Sequence, residues 1–329
     1  MRVLRTGESM ATHIPASKTA RRGRLFVTGA LAALACAPLW AAQGTQRAPD
    51  LSARMVLVSD PGLTESSGLA VSRRNGRVLW THNDSGSAPE LFALDTRGRM
   101  LARVRVAGAD AVDWEDMAAG PGPGGSPALY IGDMGDNNGL RLDCAVYRIP
   151  EPAIDPTWRG MRKESAPAER FPYRYPDGCH DAETLLVHPA SGEILIVTKD
   201  GSGRSGVYRF PAPLTPDRAC TLERVGEVRF RGVETGIRRL DSLQRMATGG
   251  SVSADGRRMV IRTYAFAREW RVPAGGTLTQ ALASPSFARH LLPPGQGEAI
   301  AYRPDGKAVY CTCEGTPCPL WEVPLPTKE

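Results

Sequence analysis

The chain has 329 residues, 42% of them hydrophobic, and carries 41 Lys+Arg against 35 Asp+Glu for a formal net charge of +6. Residues 1–41 hold six of the basic residues and one acid, so the remainder carries 35 (41 − 6) against 34 (35 − 1). That balance excludes a nucleic-acid partner or an anionic membrane surface, both of which need a concentrated basic face.

The chain opens on a basic stretch with Arg21, Arg22 and Arg24, which runs into an apolar core from Leu25 to Leu39 and then Ala41-Ala42. This is the pattern of a secretory leader over residues 1–42, too short in its apolar part to span a bilayer and expected to be cleaved. The protein is therefore expected in the periplasm or outside the cell, with no membrane contact after cleavage. Arg24 departs from the twin-arginine pattern, which leaves the export route open. Cys36 follows Ala33-Leu34-Ala35, a poor lipidation box. Residues 43–54 read as a linker, and residues 55–326 as one domain.

Within that domain the same short strand restarts five times: Ser67–Val71, Glu115–Ala119, Glu183–Val187, Gly250–Ala254 and Glu298–Tyr302. The starts lie 48, 68, 67 and 48 residues apart, a period of propeller blades and not of helical solenoids. A second strand rich in β-branched or aromatic residues follows each restart: Val78–Asn83, Leu129–Asp133, Ile194–Asp200, Met259–Tyr264 and Val309–Glu314. Asn75-Gly76, Asp255-Gly256 and Asp305-Gly306 supply the turns between first and second strands. A third strand centres on Phe92, Tyr147, Tyr208, Trp270 and Trp321, and four of these stop near Pro150, Pro211, Pro273 and Pro324. The fold class is all-β: a β-propeller with five recognisable blades, each a four-stranded antiparallel sheet. The interval from Glu183 to Gly250 has room for a sixth. Met55–Val58 is expected to close the last blade as its outer strand, and Glu151–Pro176 reads as a surface insertion.

Six cysteines lie beyond the leader: Cys144, Cys179, Cys220, Cys311, Cys313 and Cys318. In an exported protein an even number favours disulfides, with Cys313 and Cys318 placed to face each other across a hairpin. A zinc site at Cys311-Thr312-Cys313 is the weaker alternative, because no histidine lies near.

In a propeller the start of the first strand and the loop after the second share one face. That geometry gathers Glu65, Asp113, Glu115, Asp181, Glu183, Gln296 and Glu298 at one channel mouth, together with His82-Asn83-Asp84, Asp133, Asp136, Asn137, Lys199-Asp200 and Glu314. Crowded carboxylates repel, and the usual remedies are raised pKa values, basic partners or a cation. An oxygen-rich set with few histidines suits a hard cation, Ca²⁺ above all outside the cell. The candidate metal ligands are Glu65, Asp113, Glu115, Asp133, Glu183 and Glu298. The competing reading is that many of the Asp and Asn residues only shape turns. If catalysis occurs, His180 or His82 is the candidate general base. No Gly-x-Ser-x-Gly elbow is present, so serine hydrolysis has no support.

Trp80-Thr81-His82-Asn83-Asp84-Ser85-Gly86, Asp113-Trp114-Glu115-Asp116 and Ile131-Gly132-Asp133 give the chain a resemblance to uncharacterised secreted bacterial β-propellers of the NHL and TolB-like class, over roughly residues 60 to 325. More distantly it is similar to esterase-like phytase, lactonase and paraoxonase propellers. That likeness implies calcium held in the channel by acids and amides, and a histidine able to act as base. Ser67 and Gly250 occupy two of the five glutamate positions. The expected function is a binding module for a small or polar ligand at a Ca²⁺-holding mouth, in a monomer. The alternative is a calcium-dependent hydrolase of a small ester, lactone or phosphoester.

Overall fold

The computed structural model describes residues 53–58 and 60–326, so the leader and Cys36 lie outside the described residues. Strand β1 (Arg54–Val58) is followed by a first blade of β2 (Ser66–Val71), β3 (Val78–Asn83), β4 (Glu90–Asp95) and β5 (Met100–Arg105). The second blade contains β6 (Trp114–Pro121), β7 (Pro127–Asp133) and β8 (Ala145–Pro150). After β9 (Met161–Glu164) it ends on β10 (Glu169–Arg174). The third contains β11 (Ala182–Val187), β12 (Ile194–Thr198) and β13 (Arg204–Arg209), then, past β14 (Cys220–Thr221), β15 (Glu223–Arg229). A short helix α1 (Arg238–Leu243) leads to the fourth, β16 (Ala247–Val252), β17 (Arg258–Thr263) and β18 (Phe266–Arg271). Helix α2 (Leu278–Leu282) precedes its last strand, β19 (Ala288–Leu291). The fifth is β20 (Gly297–Tyr302), β21 (Ala308–Cys313) and β22 (Cys318–Pro324), completed by β1 from the start of the chain.

The innermost strands β2, β6, β11, β16 and β20 contact one another in a closed ring, so the architecture is a five-bladed propeller. Pairing of Met55 with Trp321 and Val58 with Cys318 closes it, because a strand from ahead of the first blade completes the last one and becomes its outer edge. Alternating apolar residues interdigitate between neighbouring blades, with Trp80, Trp114 and Tyr147 packed between the first two and Phe266 and Trp270 between the third and fourth.

Three expectations need correction. The interval before the fourth blade holds no sixth blade, because β15 and α1 occupy it. Glu151–Pro176 is not a simple insertion: β10 is the outer strand of the second blade, and β9 adds to the first blade in parallel against β5. The third blade's connector likewise lends β14 to β10. Finally, no disulfide forms among the described residues. The Cys318 thiol donates to the Cys313 carbonyl at 3.4 Å, and burial pushes the Cys318 thiol up to about 12.

Candidate cation site at the channel mouth

Every innermost strand breaks its register against the second strand at one place. The shifts lie between Ser66 and Gly68, Trp114 and Asp116, Ala182 and Thr184, Ala247 and Gly249, and Gly297 and Ala299. Each is a one-residue bulge, which re-aims the extra side chain out of the alternation of the strand. The bulged residues are Ser67, Glu115, Glu183, Thr248 and Glu298. The equivalent position in the fourth blade is thus Thr248, two residues before the expected Gly250. Neither it nor Ser67 is a vacancy: Thr248 Oγ1 donates to the Gly297 carbonyl at 3.2 Å, and Ser67 Oγ to Glu115 Oε2 at 3.4 Å.

A second tier comes from the residue immediately after each second strand: Asp84, Met134, Lys199, Tyr264 and Glu314. Four of these are tied to the approach of the first strand by backbone bonds, Asp84 to Glu65, Met134 to Asp113, Lys199 to Asp181 and Glu314 to Gln296. The two tiers bring the acids into one electrostatic group. Asp84 feels Glu298 and Glu65, Asp113 feels Asp84 and Asp181, and Glu115 feels Glu183, Asp84 and Glu298.

The tightest part of this group is Asp84, Asp113 and Glu115, which each offer an oxygen within 4.8 Å of the others. Burial, then repulsion from Glu298 and Glu65, raises Asp84 to about 6, and burial, then repulsion from Asp84, raises Asp113 to about 6. Burial pushes Glu115 well above the carboxylate range, with Glu183 the next cause. Opposite, Glu183 Oε1 meets the Lys199 ammonium, which also stands 5.7 Å from the Tyr264 ring. Tyr264 donates to Glu298 Oε1 at 3.2 Å. Glu183 Oε2 and Glu298 Oε2 are buried with no hydrogen-bond partner, on residues only 3% exposed. Buried polar atoms are rarely left in that state. Glu314, held by Gln296 at 2.7 Å, is pushed up to about 9 by burial and then by Glu298.

The loop after β7 covers one side. Asp136 accepts the N–H groups of Leu140 and Arg141 at 2.9 and 2.8 Å, which turns Arg141 inward onto the Gly135 carbonyl. A Cβ at Gly135 would lie 2.6 Å from Asp113 Oδ2 and against Glu115 Oε1, so only glycine fits against the carboxylates.

Of the six expected ligands, the structure places Asp113 and Glu115 in the triad. Glu183 and Glu298 lie on the neighbouring arc with one oxygen each engaged. Asp133 stands apart, in an ion pair with Arg141 at 2.9 Å while accepting the Asp113 N–H at 3.0 Å. Glu65 is half-buried behind Asp84 and outside the triad. Asp84 takes the third place. Its signal was its position directly after a second strand, which also marks Lys199, Tyr264 and Glu314.

Neither histidine stands at the triad. His82 has no exposed surface; it lies in the space that Gly68 leaves open, edge-on to Trp114 at 5.5 Å, with Nδ1 2.9 Å from the Asn83 carbonyl. Burial lowers it to about 4, so it is neutral. His180 lies out along the third blade, its Nε2 3.0 Å from both Asp177 Oδ1 and the Tyr208 hydroxyl, with Tyr175 edge-on.

No family model matches the chain, and no curated protein matches it. Among solved structures it is similar to the β-propeller domain of Cps50 (Swd1) from Myceliophteria thermophila, at 11% identity and a TM-score of 0.40, over 78% of this chain and 83% of that one. At this distance the likeness is one of fold alone, and the site rests on its own geometry.

Proposed function

We propose that the protein is a binding propeller whose mouth holds a divalent cation on Asp84, Asp113 and Glu115, with Glu183 and Glu298 turned toward the same charge. The observation that carries this reading is the convergence of three carboxylate oxygens within 4.8 Å beside two buried carboxylate oxygens that have no other partner. An all-oxygen, acid-rich set suits a hard ion, and Ca²⁺ is the abundant one where the leader would deliver the protein. When bound, the ion supplies positive charge to a funnel that otherwise has Lys199 and Arg141 against its acids. Lys199, whose ammonium keeps two N–H donors beyond its bond to Glu183, is the donor for a polar ligand on the same arc as Glu183. A histidine-driven hydrolysis gains no support, since His82 is buried and neutral and the contacts of His180 are with Asp177, Tyr208 and Tyr175.

The test is metal analysis of the full chain after purification, followed by Ca²⁺ titration of the chelated protein. The reading expects one ion per chain and a rise in melting temperature that Asp113→Asn abolishes. No stoichiometric divalent ion, and no effect of Ca²⁺ on melting, would overturn it.

A further inference from the structure

A concentration of uncompensated positive charge lies on the outer edge of the fourth blade. Arg268 of β18 and Arg289 of β19 are direct cross-strand partners. Like charges placed directly opposite destabilise a ladder. Both guanidinium groups stand over Phe266, Arg289 at 3.9 Å from the ring centre and Arg268 at 6.0 Å, and Arg268 is also 6.0 Å from Phe230 beyond the third blade's last strand. Burial and positive neighbours, Arg268 for Arg289 and Arg231 for Arg268, hold both groups below the usual arginine range. Arginines at other interfaces differ: Arg103, Arg141, Arg148 and Arg258 each meet a carboxylate, of Asp60, Asp133, Glu169 and Glu269.

Arg268 donates to the Arg229 carbonyl at 2.9 Å, whereas Arg289 has buried Nε and Nη2 atoms with no hydrogen-bond partner. Those two atoms form the side-on edge of a guanidinium, whose parallel N–H bonds match two oxygens of one oxyanion. Stacking on Phe266 fixes the plane of the group and leaves that edge uncommitted. Arg289 as a residue is only half-buried, on the last strand of the fourth blade.

We propose that Arg268 and Arg289 form an oxyanion site, taking a phosphate or sulfate group between the two guanidinium groups with Arg231 at its margin. The site is independent of the channel mouth. An oxyanion there cancels the cross-strand repulsion and occupies the unused edge of Arg289, which explains why no acid of the chain has been recruited.

Titration of the full chain with inorganic phosphate, sulfate and phenyl phosphate by calorimetry tests this, with sodium chloride at matched ionic strength as reference. Saturable one-to-one binding with Kd of about 1 mM or tighter is expected. Arg289→Gln weakens it at least tenfold. Arg289→Lys, which keeps the charge but has no fork, weakens it similarly, and Ca²⁺ binding at the mouth is unchanged in both. Preference for phenyl phosphate assigns the site to the end group of an organic molecule, and equal affinity to the free anion. Absence of saturable binding, or binding in Arg289→Gln and Arg289→Lys as tight as in the parent protein, overturns the proposal.

Discussion

The carboxylate of Asp116 accepts the backbone N–H of Gly250 at 3.1 Å, joining the second blade to the fourth across 134 residues of chain. The same group accepts the N–H of Leu185 in the third blade at 2.9 Å and of Met117 at 2.8 Å. Three innermost strands are therefore tied through one side chain that has no exposed surface. Its cross-strand partner on the second strand is Gly132.

Asp116→Ala leaves three buried donors without acceptors, each worth roughly 1–3 kcal/mol, so a loss of about 3–5 kcal/mol is expected after partial relaxation. Asp116→Asn keeps one acceptor oxygen and should lose less. Urea unfolding with an unchanged m-value measures both. A loss below about 1 kcal/mol in the alanine variant would show that this bridge does not hold the ring together.

Much of the ring was legible because the bulge recurs at one place and glutamate marks it in three blades. The fourth blade misled because Gly249-Gly250-Ser251 mimics the small residues after the bulge, while Thr248 carries no acidic signal. His82 misled for a tertiary reason: a strand-end histidine faces the mouth or the next blade depending on whether its cross-strand partner leaves space, and that partner is Gly68. The borrowed strands β9 and β14 carry no pattern at all. Met-Arg-Lys-Glu is exposed throughout and β14 is two residues long, so neither shows alternation.

The pH dependence of the mouth has a definite sign. Asp84 and Asp113 are raised to about 6, and Glu314 to about 9. Acids raised in the folded state bind protons more tightly when folded, so the metal-free protein loses stability as pH rises from ~4 through these values. A cation favours the ionised forms, and its binding releases protons. Melting temperature should thus fall from pH 5 to 8 in chelator, and the increment given by Ca²⁺ should grow over the same range. An increment independent of pH would remove these carboxyl groups from the site.

Substitutions in the triad separate stability from binding. Glu115→Gln and Asp84→Asn relieve repulsion, so each should raise the melting temperature of the metal-free protein. Each removes a charged ligand and should weaken Ca²⁺ by about tenfold or more, the equivalent of ~1.4 kcal/mol. Gly135→Ala acts sterically: its Cβ would sit 2.6 Å from Asp113 Oδ2 and displace the carboxylate. It should therefore abolish Ca²⁺ binding while far-ultraviolet circular dichroism stays that of the parent. Retained affinity in Gly135→Ala would mean the ion is held elsewhere.

Lys199 gives the last expectation. Its ammonium pairs with Glu183, with side chains 14% and 4% exposed, and the attraction of Glu183 and Glu298 outweighs burial to raise it above the usual lysine range. Lys199→Met strands Glu183 as a buried charge, at a cost of about 3–5 kcal/mol at neutral pH. Adding Glu183→Gln removes the stranded charge, so the double variant should recover most of that loss, and a double-mutant cycle reads the coupling directly. Because the lysine competes with a cation for the acidic oxygens, Lys199→Met should also bind Ca²⁺ more tightly, through the freed Glu183. Tighter binding that survives in the double variant would assign the gain to Glu298 instead.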